Sequence, residues 1–158
     1  KKYFIDILKQ HPLYRILRID KINLMGLVRT LLHYLDDDAI TKIPVWKMIA
    51  RTESSIQRQA VNWAKAIGKV SSVTTGRSTV GGGSLPGETL PTWLVKIDCS
   101  NLAGGAEKLA ETLRHNIPPI IGRIEHGQLL LDVRTVESGK ASVALQSIRH
   151  SVKSLLKG

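Results

Sequence analysis

The sequence predicts an α/β chain whose main unit is α+β, a small antiparallel sheet covered by helices, and three observations predict it. Apolar residues recur at helical spacing through most of residues 2–67 and again over 140–156. Between about 69 and 135 the period falls to two and β-branched residues gather. Within that stretch His126-Gly127 separates two apolar runs, the mark of a two-residue hairpin.

The elements follow in order. Tyr3, Phe4, Ile7 and Leu8 share one helical face, so 2–10 reads as a helix; His11-Pro12 ends it, because the residue before proline avoids helical angles. Asp20 is the expected N-cap of a helix over 21–35, striped by Ile22, Met25, Val28, Leu32 and Leu35. Asp36-Asp37-Asp38 breaks the pattern. Ile43-Pro44 marks a boundary, with a short helix over 45–50 opening a second unit. A helix over 53–67 presents Ile56, Ala60, Trp63, Ala64 and Ile67 and stops at Gly68, with Ser54 and Gln57 as a capping box. Strands are expected over 69–74, 92–98, 120–125 and 128–135, and helices over 105–114 and 140–156. In the last strand Leu129, Leu131 and Val133 should face the core and Leu130, Asp132 and Arg134 the solvent. Residues 1–43 carry helices without a sheet of their own, which reads as the end of a larger domain; 44–158 reads as a small C-terminal α+β domain.

Composition bounds the function. A net charge of +10 favours anionic partners, yet the 23 basic residues are dispersed, so a solvated basic surface is the plain alternative. No apolar run approaches the roughly 18–20 residues of a membrane span, and no signal peptide is expected. The single Cys99 excludes an intrachain disulfide, fits a reducing cytoplasm, and reads as an inert residue at a strand end. His11, His33, His115, His126 and His150 lack metal-ligand spacing, so no metal is assigned.

Three strings go beyond patterning. In HPLYRILRIDK (11–21), Arg15 and Arg18 are three apart and on a helical turn would project together, a pair of guanidinium forks suited to phosphate or another oxyanion; a solvated face is the bland reading. In TVGGGSLPGETLP (79–91), the glycines with Ser84 let backbone amides approach a ligand or simply bend the chain; Pro86-Gly87 and Pro91 read as loop punctuation. In PPIIGRIEHGQLLLDVRTV (118–136), Arg123 stands mid-strand, where it either pairs with Glu125 or faces an anion.

Together these strings, over essentially the whole chain, resemble bacterial selenocysteine synthases, the L-seryl-tRNA(Sec) selenium transferases. The resemblance implies the C-terminal part of a fold type I enzyme dependent on pyridoxal 5'-phosphate (PLP), with 1–43 as terminal helices of the cofactor-binding large domain. It implies β-elimination from seryl-tRNA(Sec), with PLP as the electron sink, then selenium addition from selenophosphate. Arg15 and Arg18 match the arginines that would hold the donor. Arg123, Gly82, Gly83 and Ser84 are substrate-cleft candidates. The Schiff-base lysine is expected upstream of the chain, so the chain alone should be inactive and bind PLP poorly. A cytoplasmic homo-oligomer, off the membrane, is the implied setting. The alternatives are a related PLP-dependent β-eliminating lyase acting on a small amino acid or amino-sugar acid, and a non-enzymatic basic RNA-binding module.

Overall fold

The structure, a computed structural model, describes residues 2–80 and 87–156. The chain divides into two compact units, Lys1–Trp46 and Lys47–Gly158.

The first unit is helical. Helix α1 (Lys2–Gln10) ends at His11, whose ring accepts from the Leu13 amide and opens a 3-10 turn over Pro12–Arg15. Helix α2 (Lys21–Leu35) starts where expected: Asp20 accepts from the amides of Ile22 and Asn23, each at 2.9 Å. The acidic break is structural, since Asp36 closes α2 and Asp38 precedes α3 (Ala39–Lys42) while lying 2.7 Å from the His33 ring. Helix α4 (Pro44–Ile49) begins on its proline. No residue from 2 to 46 is buried, and the apolar stripe of α2 is open, with Ile22 83% and Leu35 80% exposed. Amphipathic periodicity reports that a face is apolar, not what covers it.

The second unit comprises α5 (Glu53–Ile67), β1 (Ser71–Thr79), β2 (Thr89–Asp98), α6 (Gly105–Arg114), β3 (Arg123–Glu125), β4 (Gln128–Asp132) and α7 (Ala141–Leu155). The strands form one antiparallel sheet in the order β1-β2-β4-β3. Val95 pairs with Val73 and Leu131, and Ile97 with Leu129. These residues meet Ile56, Ala60 and Trp63 of α5, Leu109 and Leu113 of α6, and Ile148 and Val152 of α7 in one core. Each fully buried aliphatic side chain there contributes roughly 1.5–3 kcal/mol. His126 and Gly127 both take positive φ, as a tight hairpin turn requires.

Several boundaries are corrected. The cap of α5 is Thr52, whose hydroxyl accepts from the Ser55 amide at 3.4 Å, rather than a box of Ser54 and Gln57. Strand β1 runs to Thr79 and β2 begins at Thr89, so Pro91 is a strand residue opposite Arg77. Strand β3 keeps only three residues, and β4 stops at Asp132, after which Val133–Thr135 turns as a 3-10 segment. The expected alternation of β4 fails at Leu130 (7% exposed) and Arg134 (5%). Leu130 faces away from the helices but lies opposite Arg123 in the register; Arg134 has left the strand and turned inward.

Candidate functional site

The predicted site residues fall in separate places. Arg15 is the last residue of the 3-10 turn, and Arg18 follows three residues later in irregular backbone. They therefore do not share one helical turn, which corrects the expected geometry. Both are exposed, and among the described residues neither enters an ion pair. Two guanidinium forks three residues apart thus keep their donors available to an oxyanion.

Arg123 sits on the sheet face away from the helices. Its Nε donates to Glu125 Oε1 at 2.8 Å, and its Nη1 to the Arg77 carbonyl at 3.3 Å. The salt bridge was one of the two readings the sequence left open. The pair borders a cavity of about 230 Å³ with Thr74, Lys96 and Gln128. Gly82, Gly83 and Ser84 lie outside the described residues.

A part-buried polar network gathers around Arg134 and Asp132. Arg134 donates through Nη1 to the carbonyls of Met48 (3.0 Å), Ile49 (3.3 Å) and Arg51 (3.4 Å), and through Nη2 to that of Pro91 (2.6 Å). Asp132 accepts from Ser78 Oγ, from Thr92 Oγ1 at 3.0 Å and from the Arg134 amide at 3.0 Å. Arg51 donates to the Val133 carbonyl at 2.6 Å and to Gln59 Oε1 at 2.5 Å. Burial first, and the Arg134 cation second, pull Arg51 below the usual guanidinium range, while Asp132 opposes them. The network fixes segment 48–51 to the end of the sheet. Its signal in the sequence was thin: Ser78, Thr92 and Asp132 read as ordinary polar positions, and the partners of Arg134 are carbonyls up to 86 residues away.

Asp132 also lines a cavity of about 440 Å³ with Met48, Trp63, Ile120 and Lys140. PLP, expected from the resemblance, needs a lysine amine for its aldehyde and an amide or arginine cradle for its phosphate. Lys140 is 72% exposed at its side chain and already pairs with Glu137 at 3.2 Å. Lys96, on the smaller cavity, has Arg123 beside it, but that arginine is held by Glu125. The described residues do not fit the cofactor. Among them no group of three metal-ligating side chains gathers, and no helix is long and apolar enough to cross a membrane.

A family model described as L-seryl-tRNA selenium transferase matches residues 1–137. An L-seryl-tRNA(Sec) selenium transferase of Carboxydothermus hydrogenoformans is 37% identical over 141 residues, covering 86% of this chain and 30% of that protein. Proteins of the same name from Alkaliphilus oremlandii and Clostridium botulinum are 33% and 35% identical, each match covering 97% of this chain and 34% of the relative. The chain spans about a third of the length of the curated relatives it matches.

Proposed function

The chain belongs to the L-seryl-tRNA selenium transferase family, and from that membership we propose that it is the C-terminal part of an enzyme converting seryl-tRNA(Sec) to selenocysteinyl-tRNA(Sec) with selenophosphate. The observation that carries the reading is a family match running through both compact units, from residue 1 to 137.

In this reading residues 1–43 are the last helices of a PLP-binding large domain and 44–158 the small domain. PLP is held by a region outside this chain, consistent with the poor fit of Lys96 and Lys140. Arg15 and Arg18 hold the phosphate group of the selenium donor: both forks are exposed and unpaired, and each charge-assisted hydrogen bond to an anion is worth about 1.5–3 kcal/mol. Arg123 and the segment of Gly82, Gly83 and Ser84 border the substrate cleft. The parent is a cytoplasmic homo-oligomer, and the chain alone has no transferase activity.

A chimera tests this. The matching third of the Clostridium botulinum relative is replaced by this chain, and selenocysteinyl-tRNA is measured from seryl-tRNA and selenophosphate. Product formation is expected, and Arg15→Ala or Arg18→Ala should lower kcat/KM for the donor by roughly 10- to 100-fold. A folded, PLP-loaded chimera that releases an α-keto acid from a free amino acid, and leaves seryl-tRNA untouched, would replace the synthase by a lyase. For the chain alone, absence of a borohydride-bleached aldimine absorbance after incubation with PLP is the expected result.

A further inference from the structure

The outer surface of the helical layer of the second unit is the part of the molecule that the family reading leaves without a role. Helices α5 and α7 pack side by side. They run parallel. The first half of α5 and the start of α7 border one groove of about 340 Å³, through Ser55, Arg58, Asn62, Ala141, Ser142 and Leu145. Their C-terminal ends meet at the same edge of the sheet: Val70, just past α5, accepts from the Asp98 amide, while Leu155 of α7 accepts from the Ala103 amide, each at 2.7 Å.

Both helices are nearly free of acid. Helix α5 holds only Glu53, in its first turn, and α7 holds none. Along the outside of α5 stand Arg58 and Lys65, two turns apart on one face; along α7 stand Arg149 and Lys153, one turn apart. All four are exposed, and among the described residues none enters an ion pair. Lys153 lies in the last turn of α7, where a cation suits the helix dipole. Arg149 has no such reason. It places a like charge at i,i+4 from Lys153, an arrangement that weakens an isolated helix.

Arg58 lines the groove, Lys65 stands about 10 Å further along α5, and Arg149 and Lys153 follow about one and two turns past Leu145 on α7, given the helical rise. The groove itself carries hydroxyl and amide side chains, Ser55, Asn62 and Ser142, beside Trp63 and Leu145. This is a line of positive charge with neutral donors, suited to a polymer of phosphates rather than to a single anion. An inserting lipid surface is a poorer match, because Val143 is the one large aliphatic exposed on α7 and α5 exposes none.

We propose that the outer face of α5 and α7, from the groove at Arg58 along to Lys65, Arg149 and Lys153, is a docking surface for the phosphodiester backbone of RNA. The choice of RNA rests on the function proposed above, in which the amino acid arrives on a tRNA; the surface itself rests on charge and geometry.

Binding of a fluorescent tRNA to the 158-residue chain, titrated between 50 and 200 mM salt, tests it. Changing Arg58, Lys65, Arg149 and Lys153 together to Gln should weaken binding by at least about tenfold at the middle of that range. The log–log salt slope should become shallower by about three. A matched variant with Lys47, Lys108, Arg114 and Lys140 changed to Gln should stay within about twofold of the parent, and thermal melts should confirm that both are folded. In the unmutated chain, photocrosslinks from a 4-thiouridine-substituted tRNA should fall within 55–65 and 142–153, a readout independent of any variant's folding. Equal losses in the two variants, no binding by the parent, binding to polyglutamate or anionic phospholipid vesicles as tight as to tRNA, or crosslinks confined elsewhere would each overturn the proposal. If the chimera makes selenocysteinyl-tRNA while these tests fail, the surface is lost and the function stands. If tRNA docks on this face and no selenium is transferred, the function is lost and the surface stands.

Discussion

Arg134 Nη2 donates to the carbonyl of Pro91 at 2.6 Å, closing the side of β2 that β4 leaves uncovered. The last pair between β2 and β4 is Leu94 with Asp132, so Pro91 lies three residues beyond it. In an antiparallel strand a residue's N–H and C=O point to the same side. The Pro91 nitrogen therefore points away from β1, where its missing hydrogen costs no ladder bond, and its carbonyl meets the guanidinium that continues where β4 has stopped.

Replacing Arg134 by Ala should destabilise the second unit by about 3–5 kcal/mol, since it orphans the carbonyls of Pro91, Met48 and Ile49 and opens a void. Arg134→Lys keeps the charge but not the fork and should still cost about 2 kcal/mol. Urea unfolding with an unchanged m-value is the measurement; a loss below about 1 kcal/mol for the alanine variant would remove the network's structural role.

Two glycines should respond in opposite directions. A Cβ on Gly76 would collide with Leu94 Cδ1 and stand 3.0 Å from its Cγ, against a side chain only 2% exposed. Gly76→Ala should therefore cost about 1–3 kcal/mol. A Cβ on Gly26, within α2, meets nothing inside 4 Å. Gly26→Ala should stabilise that helix by about 0.5–1 kcal/mol. Denaturation midpoints that move together would contradict the assignment.

The cap on α2 should be pH-sensitive. The Asn23 amide, and after it the Asn23 side chain, hold the Asp20 carboxyl below its usual value of 3.8. With the folded pKa depressed, the contribution of the cap is present above the unfolded value and is lost as pH falls through the folded one. Helicity of α2, followed by NMR, should be flat above about pH 5 and decline below 3.8, and Asp20→Ala should abolish that dependence. A decline centred near pH 6 would point to another group.

Cys99 should be chemically silent in the native protein. It is 2% exposed, and burial pushes its thiol up from the ordinary range, which disfavours the reactive thiolate. A thiol reagent at pH 8 should modify it only at the rate of unfolding. Rapid stoichiometric labelling without denaturant would show the strand end to be open.

Legibility in the sequence followed the range of the interactions. The Asp20 cap, the stop at Gly68, the His126-Gly127 turn and the helix over Gly105–Arg114 depend on neighbours within four residues, and each was readable. The reach of β1 to Thr79 and the place of Pro91 depend on pairing between strands, which local propensity does not encode. Arg134 escapes the strand alternation because β4 ends at Asp132, and only the fold brings Met48 and Pro91 to it. For Arg15 and Arg18 the expected shared turn fails, because the 3-10 turn ends at Arg15 and spacing along the chain does not encode that end.

The order β1-β2-β4-β3 also bears on the path by which the second unit assembles. Helix α5, β1 and β2 are consecutive, so their contacts close short loops, whereas β4 reaches β2 only after α6 has been spanned. The early nucleus then lies in α5 and the β1–β2 pair, and the β3–β4 hairpin docks late. Lesions at Arg134 should accordingly appear as faster unfolding with little change in the folding rate. Truncations of Ile56 or Val95 should slow the chain's first approach to the native state.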